Sequence, residues 1–171
     1  MRLGKDLIGK SIISVTDGRL LGVVKDLYIN DQLYWLTGIH VGTEGILKRK
    51  TWLISRDSVV VFGIDAILVK NAEVVIEASE LPESDAWLRL SKLKGRDVDT
   101  PGGTKVGAIG DIVLGEEGHI IGFALSKVFV EGPIAQQGTL PREALIDTGN
   151  DDGVMTIDLA KVEQLQSEAA E

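Results

Sequence analysis

Cysteine is absent from the 171 residues, which excludes a disulfide scaffold and any thiolate chemistry. Histidine occurs twice and aromatics make up 5%, so the chain has few ring donors and few large apolar anchors. Basic side chains are in deficit, 18 against 26 acidic, for a net charge of −8. That balance argues against a general nucleic-acid binder, which needs clustered Lys and Arg for phosphates. Long apolar runs are also missing. The longest, Val59–Ile64 and Ile120–Leu125, span about six residues, where a membrane-crossing helix needs roughly 20. The opening Met1-Arg2-Leu3-Gly4-Lys5-Asp6 has no apolar core of a secretory signal, so a cytoplasmic protein is expected.

What is abundant is Val and Ile, 34 together against 11 Ala, which favours strands. The chain also repeats itself at an offset near 85. Leu7-Ile8-Gly9-Lys10 lies on Leu93-Lys94-Gly95-Arg96, and Leu21-Gly22-Val23-Val24-Lys25-Asp26-Leu27 on Val106-Gly107-Ala108-Ile109-Gly110-Asp111-Ile112. Leu36–Ile39 parallels Ile120–Phe123, and Ile54–Val59 parallels Leu140–Leu145. Val23, Lys25 and Leu27 alternate with Val24, Asp26 and Tyr28, as on a strand with unlike faces. Asp17-Gly18, Asn30-Asp31, Pro101-Gly102-Gly103, Glu117-Gly118 and Asp152-Gly153 punctuate the runs as turns. About six short strands per copy suffice to close a small barrel.

Ser79–Asp85 is polar and contains a proline, which suits a linker. Ala86–Leu90 then leads into the second copy, with Trp87 placed to pack between the two. Leu159, Val162 and Leu165, three apart, predict a C-terminal amphipathic helix capped by Asp158. Residues 1–90 carry a net −1 (11 basic, 12 acidic) and residues 91–171 a net −7 (7 basic, 14 acidic), so the copies present different surfaces.

The repeat unit resembles the PRC-barrel domain. The resemblance rests on a Gly followed four positions later by an Asp at a strand end, Gly22 with Asp26 and Gly107 with Asp111. It extends to the closing Leu140-Pro141-Arg142-Glu143-Ala144-Leu145; copy one has Ser55 and Ser58 where copy two has Pro141 and Ala144. The resemblance implies an all-β chain: two tandem small PRC-like β-barrels with a short C-terminal α-helix. The boundaries follow as 1–78, a linker 79–91, 92–157 and a helical tail 158–171. It also implies an adaptor rather than an enzyme. Such barrels form the cytoplasmic part of the photosynthetic reaction-centre H subunit and the C-terminus of a ribosome maturation factor that docks on a ribosomal protein. The expected partner is another cytoplasmic protein or complex, or a further copy of the chain. No cofactor is expected.

Four local patterns could carry chemistry. Gly4-Lys5-Asp6-Leu7-Ile8-Gly9-Lys10-Ser11 satisfies the P-loop pattern, but a P-loop must open a helix and Ile12–Val15 reads as a strand. Asp147, Asn150, Asp151 and Asp152 form an acidic turn whose spacing fails that of a calcium loop, with Asp152 where Gly is required. His40 and His119 lack the spacing of a zinc site. Asp26 and Asp111 read as carboxylates accepting backbone hydrogen bonds at strand ends. The candidate partner-binding segment is Gly45–Trp52, where Lys48, Arg49 and Lys50 adjoin Trp52 in an otherwise acidic protein.

Overall fold

A computed structural model describes residues 2–150 and 153–170, without the side chains of the last two. The first half contains β1 (Arg2–Leu3), β2 (Ser11–Ser14), β3 (Leu20–Val23), β4 (Asp26–Ile29), β5 (Leu36–Glu44) and β6 (Lys50–Ser55). It continues with β7 (Val59–Phe62), β8 (Ala66–Val69) and β9 (Ile76–Glu77). Next come β10 (Leu88–Arg89), helix α1 (Leu90–Leu93), β11 (Asp97–Asp99), β12 (Lys105–Leu114) and β13 (Ile120–Val128). Helix α2 (Pro133–Gln137), β14 (Thr139–Pro141), β15 (Leu145–Asp147), β16 (Met155–Ile157) and helix α3 (Leu159–Ala170) complete the chain.

The two halves follow one order of elements. In each, a 3₁₀ turn (Arg56–Ser58 or Arg142–Ala144) separates the preceding strand, β6 or β14, from a short hairpin, β7–β8 or β15–β16. In each, the first strand after the lead-in pairs in parallel with the second strand of that hairpin: β2 with β8, and β11 with β16. Even an unusual backbone conformation recurs, with Leu33 at φ 59 and Glu117 at φ 56, 84 residues apart. Side chains other than Gly rarely adopt that region. Leu33 is held there by complete burial.

The strand ladders do not close into barrels, contrary to the expectation from strand number. The first half forms a sheet in the order β3-β2-β8-β7 and another in the order β10-β4-β5-β6-β9. The second half forms one path, β14-β13-β12-β11-β16-β15, with β1 added to β12. The 3₁₀ turns carry the chain round the corner between β6 and β7, and between β14 and β15, without backbone pairing across it. The half-to-half difference arises at Val24-Lys25, where the first half breaks its strand and the second runs through as β12.

The expected alternation also fails in β4, whose four residues are all buried. Leu27 and Ile29 enter the main core, while Tyr28 is covered from outside by Trp87, with ring centroids 5.8 Å apart. Trp87 therefore lies on the first half. A Cβ on Gly38 would come within 2.9 Å of its ring. The segment read as a linker contains the 3₁₀ turns Ala78–Glu80 and Pro82–Ala86 before β10. Apolar side chains from both halves form one continuous core, from Leu7 and Leu27 to Phe123 and Ile157. Helix α3 buries Val162 into it, and Asp158 accepts the Lys161 N–H at 3.2 Å as its cap. Gln166 is buried beside Val162, which the threefold spacing did not indicate. Its Nε2 donates to Gln137 Oε1 at 3.2 Å.

Candidate functional site

The halves exchange their lead-in segments. β1, at the start of the first half, pairs antiparallel with the end of β12, Arg2 opposite Leu114 and Leu3 opposite Val113. β10, at the start of the second half, pairs with β4 in the same way, Leu88 opposite Ile29 and Arg89 opposite Tyr28. The repeated aspartates fasten the exchange. Asp111 accepts the Ile112 N–H at 2.8 Å and, from the other half, the Lys5 N–H at 3.0 Å. Asp26 accepts the Leu27 N–H at 2.8 Å and, from the other half, the Ser91 N–H at 3.3 Å and the Ser91 hydroxyl. Gly4 sits where the exchanged turns meet, because a Cβ there would lie 2.6 Å from both Asp111 Oδ1 and Leu90 Cδ2.

A second reciprocal contact joins the turns after β4 and β12. Trp35 bridges to His119, their rings 4.8 Å apart, and Tyr34 O accepts the Ile120 N–H at 2.8 Å. Arg142 from the second half donates to Gln32 O at 2.6 Å and Leu33 O at 3.1 Å while lying 3.8 Å over the Tyr34 ring. Arg56, its counterpart, stacks on Trp35 at 5.2 Å. The Arg56 stack lies within the first half; the contacts of Arg142 and the Trp35–His119 bridge are the ones that tie the halves together.

Most of the chemically suggestive residues are committed to this architecture. Lys10 of the P-loop-like stretch donates to the carbonyls of Gly63 and Ile64. Gly4–Asp6 forms a single 3₁₀ turn and Ser11 begins a strand, so no phosphate cradle is built. Arg96, its counterpart, donates to Thr148 O at 2.7 Å. Asp147 accepts the Gly149 N–H at 2.8 Å; Asp151 and Asp152 lie outside the described residues. Among the described residues no group of three or more His, Cys, Asp or Glu could hold a metal ion.

His40 is buried, with Nδ1 at 2.9 Å from the Tyr28 hydroxyl. Burial, aided by the nearby Arg89 charge and opposed by Asp26, lowers its pKa from the ordinary 6.5. Below about pH 6.5 the unfolded chain then takes up a proton that the folded chain refuses, so stability falls as the pH falls. The urea midpoint is expected to be lower at pH 5.5 than at 7.5, and His40→Gln to flatten that difference.

The projecting feature is the β5–β6 hairpin. Beyond Trp52, which pairs with Glu77 of β9, it is a two-stranded ribbon with Thr43 opposite Thr51 and Glu44 opposite Lys50. Gly45, at φ 98, makes the turn, and a Cβ there would meet Lys48 O at 2.3 Å. Every residue from Thr43 to Lys50 is exposed. Ile46 and Leu47 are 98% and 101% exposed, as bare as a side chain in an unfolded chain. Lys48, Arg49 and Lys50 are therefore together at the tip. Trp52 is set apart from them, half-buried in the sheet with its Nε1 sealed from solvent and without an acceptor. The candidate segment already holds the two aliphatics as exposure-prone beside its cations; their full exposure makes them its stronger feature.

The equivalent place in the second half is built differently. Phe129 is 59% exposed after β13, and the chain then turns through Gly132 into α2. The repeated Gly and Asp flank the β3–β4 break in the first half and lie within the continuous β12 in the second, so Asp111 is not at the strand end expected of it. Residues 1–76 match the PRC-barrel domain. That span covers β1 to the start of β9, and includes Gly22, Asp26 and the whole projecting hairpin. The PRC-barrel match stops short of the second half, whose likeness to the first rests on element order, parallel closure and the Asp26–Asp111 pair. No curated protein matches the chain. Among the described residues no helix is long and apolar enough to cross a membrane.

Proposed function

We propose that this chain is a non-enzymatic assembly module that presents the hairpin tip Gly45–Lys50 to a protein partner in the cytoplasm. In this reading two PRC-like units, 1–78 and 92–157, are joined through 79–91 and completed by the helix 158–171. The observation that carries it is the pairing of two fully exposed aliphatics, Ile46 and Leu47, with three cations on a projecting ribbon. A solvated turn has no use for bare Ile and Leu, whereas an interface gains from an apolar centre ringed by charge. The commitment of Lys10, Asp26, Asp111, His40 and Arg142 to the scaffold supports an adaptor over an enzyme.

Crosslinking from native lysate tests this. Wild type should capture a defined protein that is lost from an Ile46→Ser, Leu47→Ser, Lys48→Glu, Arg49→Glu variant of unchanged melting temperature. Trp52 is left intact in that variant because it packs in the sheet. Capture of the same protein by the folded variant would remove the tip from the account.

A further inference from the structure

The tip has a complementary socket on the same molecule. A cavity of about 490 Å³ opens where the halves meet, with Leu36, Phe62, Leu114 and Ile121 as its apolar lining and Glu116 and Glu117 at its rim. Both glutamates are exposed. The volume falls within the roughly 300–1,000 Å³ of ordinary ligand clefts, ample for a pair of aliphatic side chains. Arg2 also lines the cavity, but its guanidinium is engaged by the carbonyls of Phe62 and Gly63. That guanidinium keeps its charge, so two carboxylates against one cation leave the lining net acidic, at −1.

Tip and socket cannot meet within one molecule. Leu36 opens the nine-residue β5 in the socket and Glu44 ends it at the tip, eight residue steps away (44 − 36). At about 3.3 Å per residue the separation along the strand is roughly 26 Å. We infer that the tip of one copy seats in the socket of the next, Ile46 and Leu47 on the apolar lining and Lys48 and Arg49 against Glu116 and Glu117. The contact joins unlike surfaces at opposite ends of a rigid strand, so it is head-to-tail and adds copies in series. The proposal rests on the docking role of the tip and names a second copy as its partner.

Light scattering over a range of concentrations tests it with two charge reversals, Lys48→Glu/Arg49→Glu and Glu116→Lys/Glu117→Lys. Wild type should gain mass with concentration. Each variant alone should remain at one chain, since its tip and socket then carry like charge. An equimolar mixture should associate again, as should the chain bearing all four changes. Melting temperatures establish that each variant is folded. A wild type of one-chain mass at every concentration would overturn the second copy as partner while leaving the lysate capture to judge the tip. Association of wild type that either variant retains, or that the mixture fails to restore, would place the contact elsewhere. Sedimentation of a monomeric wild type with anionic vesicles, lost in Lys48→Glu/Arg49→Glu, would reassign the tip to a lipid surface.

Discussion

Asp111→Ala is expected to lower stability by about 3 kcal/mol, since it strips one buried and one part-buried N–H donor of a charged acceptor. Those donors are Ile112 on its own strand and Lys5 in the other half. For a chain of this size the loss corresponds to a fall in Tm of about 6–12 °C. Asp26→Ala should cost a similar amount, because Asp26 holds Leu27 and both donors of Ser91. Asp→Asn at either place keeps one acceptor oxygen and should recover part of the loss. Thermal unfolding of the four variants checks this. A Tm change under 2 °C for both alanine variants would mean that the carboxylates are not what fastens the exchanged segments.

Gly107→Ala should be as severe for a different reason. The strands β12 and β13 approach so closely at Gly107, opposite Val128, that a Cβ would lie 2.1 Å from Lys127 O. The obstacle is backbone, which cannot swing aside as a side chain can, so the longest strand pair of the sheet must separate. Overpacking of this kind costs about 1–3 kcal/mol, and the upper end applies where backbone is displaced. The same substitution at Gly22 meets only Val41 Cγ1 at 3.3 Å, and its difficulty is the φ of +150°. The repeated glycine therefore answers close approach in one half and backbone conformation in the other. Urea unfolding should place Gly107→Ala below Gly22→Ala; the reverse order would show that the β12–β13 approach is soft.

The repeat was legible because its signature residues do work at fixed backbone positions. Gly22 and Gly107, Asp26 and Asp111, and the closing segments ending at Val59 and Leu145 keep their spacing for that reason. The C-terminal helix was legible from Leu159, Val162 and Leu165, whose spacing places them on one face. The exchange was not legible. β1 and β10 are two residues long, too short to show any period, and nothing in Asp26 or Asp111 says which half supplies the donor. The burial of Tyr28 was hidden for a related reason. Its cover comes from Trp87 and Arg89, sixty residues away, so β4 loses the alternation that a one-sided strand would show. At the site, the cations of the tip stood out against the acidic composition. The position of Trp52, turned into the sheet rather than outward, depended on the pairing of β6 with β9. The socket draws Leu36, Phe62 and Leu114 from distant parts of the chain and had no local signature.

Hydrogen exchange read by peptide mass tests the reciprocal joining of the halves most directly. Asp111→Ala should lose protection at residues 2–5, and Asp26→Ala at residues 88–91, each in the half opposite to the change. Loss confined to the half that carries the substitution would contradict the exchange.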